Sequence, residues 1–253
     1  MWRKLKQLRW YSFIHMQKQV ARTLPYILTV SECARRDISR DFTIPLERFR
    51  IVPNGINTDL FYPLPDVQRD SHRIIVTNSA DTPLKGLIYL LHAIAEIRRR
   101  RPVRLVVIGQ PKPNGTIERL VRKLNLAEQV SFTGRISSAA FVREYARAGM
   151  AVVPSVYEGF GLPAGEAMAC GVPVIATTGG ALPEVVGDAG ILVPPRDTPA
   201  LAAAIENLLD DPAKAAALGQ RGYQRVQAHF TWQRAAEKTV AAYREVIHDY
   251  RRS

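Results

Sequence analysis

Two carboxylates, Glu158 and Glu166, stand eight positions apart in the segment Pro154-Ser155-Val156-Tyr157-Glu158-Gly159-Phe160-Gly161-Leu162-Pro163-Ala164-Gly165-Glu166, and Lys85 follows an earlier apolar run. A carboxylate accepts hydrogen bonds in a fork, so it can grip the paired hydroxyls of a ribose or a hexose. A lysine adds a mobile point charge suited to a diphosphate. Gly159 and Gly161 let backbone N–H groups approach a ligand closely, and a helix start attracts phosphate through its free N–H groups and positive dipole end. The segment reads as a buried strand, a glycine-bent loop carrying Glu158, and a helix with Glu166 in its first turn. Each residue also has an ordinary account. A glutamate in a first helical turn stabilises the helix by about 0.3–1 kcal/mol without a ligand, a loop glutamate can be solvated, and most lysines decorate surfaces.

The elements that would carry these residues favour the chemical account. From about Ser71 the chain alternates helical periods with the continuous apolar runs Ile74–Val76, Leu105–Ile108, Val130–Phe132, Ala151–Val153, Val174–Ala176 and Ile191–Val193. Continuous runs imply strands buried on both faces, hence a parallel sheet. Leu87, Leu90, Leu91, Ile94 and Ile97 keep the 3.6-residue period of a helix packed on one side. Ser137 or Ser138, and Asp197 or Thr198 before Pro199, mark further helix starts. The expected fold is α/β, a Rossmann-like doubly wound parallel sheet. Ligands in such sheets bind outside the carboxyl ends of the strands. Pro83-Leu84-Lys85-Gly86, Gly109-Gln110, Gly134-Arg135, the Glu158 loop and Thr177-Thr178-Gly179-Gly180 all come after strands on that edge. The inferred ligand is a sugar attached to a nucleoside diphosphate.

Composition limits the alternatives. The 253 residues, 47% of them hydrophobic, suffice for a full core, and no apolar run reaches a membrane span, so a cytoplasmic protein is expected. Cys33 and Cys170 stand without a second cysteine or a histidine at metal-ligand spacing, so neither a disulfide framework nor a zinc site is expected; the chain also has no Asp-any-Asp triplet and no two histidines three or four residues apart, and no cofactor is expected. The net charge of +12 suits nucleic acid, anionic lipid or an anionic small substrate alike. No helix-turn-helix or aromatic platform pattern supports nucleic acid. The first 25 residues hold Arg3, Lys4, Lys6, Arg9, Lys18 and Arg22 and no acid. They read as a basic surface helix, or as a peripheral contact with the inner membrane face. The Arg98–Arg101 tract closes a helix, where cations suit the carbonyl end.

At these residues the chain resembles the retaining nucleotide-sugar glycosyltransferases of family 4, which have the two-domain GT-B fold. The resemblance is carried by Glu158 and Glu166, Gly159-Phe160-Gly161, Glu166-Ala167-Met168-Ala169, Gly171-Val172-Pro173-Val174, Val130-Ser131-Phe132-Thr133-Gly134, Gly180-Ala181-Leu182-Pro183-Glu184, Ala189-Gly190-Ile191-Leu192-Val193, Thr29-Val30-Ser31-Glu32 and Val52-Pro53-Asn54-Gly55-Ile56-Asn57. It implies that Glu166 holds the ribose hydroxyls and that Glu158 lies against the donor sugar. Backbone groups of Gly159, Phe160, Gly161 and Leu162 would contact sugar and phosphate. Lys85 would neutralise charge on the departing diphosphate, and the loop of Gly134, Arg135 and Ile136 would meet the base. The acceptor, whether glycan, lipid or small molecule, is left open.

Two departures from the family pattern stand out. The position five residues before the lysine, commonly arginine, is Ala80. A methyl cannot replace a bidentate guanidinium, so Ala80→Arg is expected to tighten nucleotide binding. The resemblance also implies that 1–65 is a remnant of an amino-terminal acceptor domain with a Pro-rich linker, that 66–231 is the sugar-nucleotide-binding domain, and that 232–253 is a helix that would cross back. Transfer by this chain, or sugar-nucleotide binding by a subunit that needs a separate amino-terminal partner chain, are the two functions this leaves.

Overall fold

The computed structural model describes residues 2–77 and 82–252, with side chains from Ser12 onward. Ala80 lies outside the described residues. The chain divides into two compact units, 54–235 and a smaller one built from 1–53 and 236–253.

In the larger unit the apolar runs become β3 (Asp70–Thr77), β4 (Arg104–Ile108), β5 (Val130–Phe132), β6 (Ala148–Val153), β7 (Val174–Thr177) and β8 (Ile191–Val193). All pair in parallel, in the order β5-β4-β3-β6-β7-β8. Helices α3 (Leu87–Ile97), α4 (Thr116–Lys123), α5 (Ser138–Arg147), α6 (Leu162–Ala169), α7 (Leu182–Val186), α8 (Thr198–Asp210) and α9 (Pro212–His229) connect or follow them. The hydroxyl of Ser137 and the carboxylate of Asp197 accept from the N–H groups of Ala140 and Ala200, capping α5 and α8. Ile74, Val76, Leu105, Val107, Met150, Val152 and Ile175 share one core with Leu90, Ile94, Ile117, Leu201 and Ile205 of α3, α4 and α8. Their strand neighbours Ile75, Val106, Ala151, Val153 and Ala176 are buried as well. Burial on both faces is why the runs are continuous rather than alternating.

Two expectations are corrected. Helix α6 starts at Leu162 with Pro163 in its first turn, where the missing N–H costs nothing, so its first turn holds no acid and Glu166 stands in the second. Phe61, the first residue of the Pro-rich and polar stretch Phe61 to Asp70 that the sequence marks as a linker, is not a solvated linker residue: it is buried and sits edge-on to Phe141 and Tyr145.

The smaller unit holds α1 (Trp2–Thr23), β1 (Ile27–Thr29), α2 (Glu32–Phe42), β2 (Phe49–Ile51) and most of α10 (Trp232–Tyr250). Strands β1 and β2 form a parallel two-stranded sheet. Arg50 joins β2 to α10 through Glu245 at 2.5 Å and lies 4.9 Å over the Tyr26 ring, while the Tyr26 hydroxyl donates to Asp249. Among the described residues, no helix is long and apolar enough to cross a membrane.

Candidate functional site

The strand order reverses between β3 and β6, and an open parallel sheet leaves a crevice at that point. The segments after these two strands carry Lys85 and Glu158. Beyond β3, a tight 3-10 turn over Pro83–Lys85 ends at Gly86, whose φ of +68° lies in the left-handed region. A Cβ on Gly86 would stand 1.9 Å from the Pro154 carbonyl oxygen, so only glycine lets the turn close against the end of β6. The Val156 N–H donates to the Leu84 carbonyl at 2.8 Å, joining the two segments. This backbone seam brings the side chains together: Lys85 Nζ donates to Glu158 Oε1 at 2.7 Å, and Ser155 Oγ donates to the same oxygen at 2.8 Å. The Glu158 side chain is 12% exposed and that of Lys85 28%, so the pair is only partly screened by water.

The Glu158 loop is also held from β7. The Ala181 N–H donates to the Glu158 carbonyl at 2.8 Å, and a Cβ on Gly180, where φ is +66°, would lie 2.2 Å from that oxygen. Gly159 is exposed, whereas Phe160 is buried and meets Phe230 edge-on at 5.8 Å. Gly161 precedes α6, and Leu162, its first residue, is exposed. Glu166 projects from α6 in partly buried surroundings that push its carboxyl up to about 7, because the charged form loses solvation. The Tyr145 hydroxyl, which feels the Glu166 charge, hydrogen-bonds Thr77 at the carboxyl end of β3 at 3.2 Å and donates to the Pro163 carbonyl at 3.3 Å. Gly134 closes the end of β5 by donating its N–H to the Gly109 carbonyl at 3.0 Å, with Arg135 exposed and Ile136 partly buried beyond it.

The arrangement offers a cation paired with a carboxylate and loop backbone at the carboxyl ends of β3 and β6, with a second carboxylate on α6 whose charged form burial disfavours. Among the described residues no group of three or more His, Cys, Asp or Glu could hold a metal ion. A cavity of about 380 Å³ lined by Arg69, Ser71, Gly149, Gly171 and Pro173 lies at the opposite edge and holds none of the candidate donor-site residues. Sequence reasoning missed Ser155 and Tyr145. The serine adjoins Pro154 at a strand end and could have been found there, while the tyrosine lies in an ordinary helical pattern and gave no signal.

Comparison with known proteins places these features in a family. The model of "Glycosyl transferases group 1" matches residues 71–211. The chain is 44% identical over 249 residues to an MMP alpha-(1->4)-mannosyltransferase of Mycolicibacterium hassiacum, covering 97% of this chain and 60% of the relative. It is 33% identical over 199 residues to a GDP-mannose-dependent alpha-(1-6)-phosphatidylinositol monomannoside mannosyltransferase of Mycolicibacterium smegmatis, covering 72% of this chain and 52% of that one. The structure of sucrose-phosphate synthase from Thermosynechococcus elongatus superposes with a TM-score of 0.83 at 34% identity, over 94% of this chain and 62% of that one. The chain thus spans about half to three fifths of the length of these proteins.

Proposed function

Because this chain belongs to the group 1 glycosyl transferases, we propose that it binds a nucleoside-diphosphate sugar at the carboxyl edge of its sheet and transfers the sugar to an acceptor with retention at the anomeric carbon, as a family 4 enzyme. The observation that carries this reading is the Lys85–Glu158 pair at the point where the strand order reverses. The diphosphate takes Lys85, whose charge offsets the negative charge that grows on the leaving group. Glu158, released from the lysine, offers its other carboxylate oxygen to the hydroxyls of the sugar, and Glu166 accepts from the ribose. The Gly159–Leu162 backbone faces sugar and phosphate, and Gly134, Arg135 and Ile136 border the base. A mannosyl donor on GDP comes first, on the strength of the two mannosyltransferase relatives.

Thermal unfolding of the purified chain with GDP, UDP, ADP and their sugars tests this. One diphosphate and its sugar should raise the melting temperature by several degrees, as mass action requires of a ligand held only by the folded state. No stabilisation by any of them would sink the reading.

A second reading, a donor-binding subunit that transfers only with a separate amino-terminal partner, is favoured by the β1–β2 sheet, whose two strands each leave an edge without a strand neighbour among the described residues. Slow donor hydrolysis by the chain, abolished in Glu158→Ala, would favour the first reading. Transfer that appears only on adding the amino-terminal half of a relative would favour the second.

A further inference from the structure

We infer that Ser155 is a positioning residue for Glu158, fixing the carboxylate so that Oε1 faces the protein and Oε2 faces the sugar of the donor. The inference rests on the proposed sugar-nucleotide site.

Ser155 is 2% exposed and follows Pro154, the residue directly after β6. A hydroxyl buried to that degree needs a partner, and it finds one by donating to Glu158 Oε1 at 2.8 Å. Lys85 reaches the same oxygen at 2.7 Å, and among the described residues no donor reaches Oε2. The serine is itself held from both neighbouring strands. On the β3 side, Gly86 packs against the Pro154 carbonyl. On the β7 side, the Thr177 hydroxyl donates to the Ser155 carbonyl and accepts from the Gly179 N–H at 3.2 Å, with Thr177 itself 2% exposed. A Cβ on Gly179 would lie 2.8 Å from the Ser155 carbonyl oxygen and 2.5 Å from that of Val156. The backbone beneath the hydroxyl therefore has no room to shift.

The two donors on Oε1 differ in what a ligand does to them. A diphosphate competes for the Lys85 ammonium, which is mobile and partly exposed. Ser155 is buried and has no such competitor. Once Lys85 engages the phosphates, the serine is the remaining described donor that keeps Glu158 from rotating, so its contribution falls on the sugar and not on the diphosphate.

Calorimetric titration of the full chain with GDP and GDP-mannose, and with UDP and UDP-glucose, tests this. Ser155→Ala should weaken the sugar nucleotide roughly tenfold while moving the bare diphosphate by less than about twofold. Glu158→Ala should do the same, and the double variant should be no weaker than Glu158→Ala alone, because the serine acts through the carboxylate. Ser155→Thr, which keeps a hydroxyl, should restore affinity, whereas Ser155→Cys should not. That second pair decides the matter if Ser155→Ala does not fold. Equal losses for diphosphate and sugar nucleotide, or additive losses in the double variant, would assign Ser155 a merely structural role and overturn the inference. If the wild-type chain binds none of the four ligands, the site reading fails and the inference falls with it. If it binds and Glu158→Ala discriminates while Ser155→Ala matches wild type, the inference alone fails.

Discussion

At the residue scale the two glutamates are set apart by their surroundings rather than by their type. Glu158 is held by a cation and a hydroxyl, whereas Glu166 sits where burial raises its carboxyl to about 7. A carboxyl raised in the folded state favours folding below its unfolded value near 4.5, and that contribution is lost as pH rises through 7. Glu166→Gln should therefore leave stability unchanged near pH 4 and increase it above pH 7, by at most about 3 kcal/mol for a partly buried group, read by urea unfolding across pH. Nucleotide affinity should move the opposite way in the parent chain. The ionised form accepts from both ribose hydroxyls, so binding should tighten from pH 6 to pH 8, and calorimetry on Glu166→Gln should show a flat profile. Lys85→Met strands a carboxylate that is 12% exposed. It should cost on the order of 1–2 kcal/mol of stability and weaken diphosphate binding about tenfold or more.

At the scale of elements, the site depends on loops that close without room for a side chain. Gly86 and Gly180 combine left-handed backbone with carbonyl oxygens 1.9 and 2.2 Å from where a Cβ would stand. Alanine at either position must open the seam between the β3 and β6 segments or lift the Glu158 loop from β7. Gly86→Ala and Gly180→Ala should each destabilise by roughly 1–3 kcal/mol, and nucleotide binding should fall further than melting temperature alone explains. A variant with normal nucleotide affinity would show that the loops hold the site less tightly than the contacts imply.

At the scale of the whole molecule, the core is unevenly distributed between the two units. The larger holds the six-stranded sheet and almost all of the buried apolar side chains, and 54–235 produced alone should unfold cooperatively, as followed by circular dichroism. In the smaller unit α10 leaves Val240, Tyr243, Ile247 and Tyr250 exposed, and β1 leaves Leu28 exposed. The spacing of the α10 residues puts them on one helical stripe. Deleting 236–253 should therefore cost the larger unit little, whereas loss of its cooperative transition would show that the boundary is misplaced.

The alternation of apolar runs with helical periods was enough to predict the parallel α/β fold, because strands buried on both faces must be apolar throughout. The same pattern put the loops of Lys85 and Glu158 at one edge of the sheet, since the loop leaving a parallel strand always emerges at its carboxyl end. Three things required the tertiary structure. Glu166 moved to the second turn because Gly161 and Pro163 set the helix start, and Phe61 proved to be core because its partners Phe141 and Tyr145 lie about eighty residues away. The convergence of Lys85 and Ser155 on one oxygen of Glu158 was likewise hidden, for the seam that creates it joins segments seventy residues apart through carbonyl contacts. Local pattern reports which face of an element is buried; which atoms meet is decided by backbone packing between elements, to which no short stretch of sequence has access.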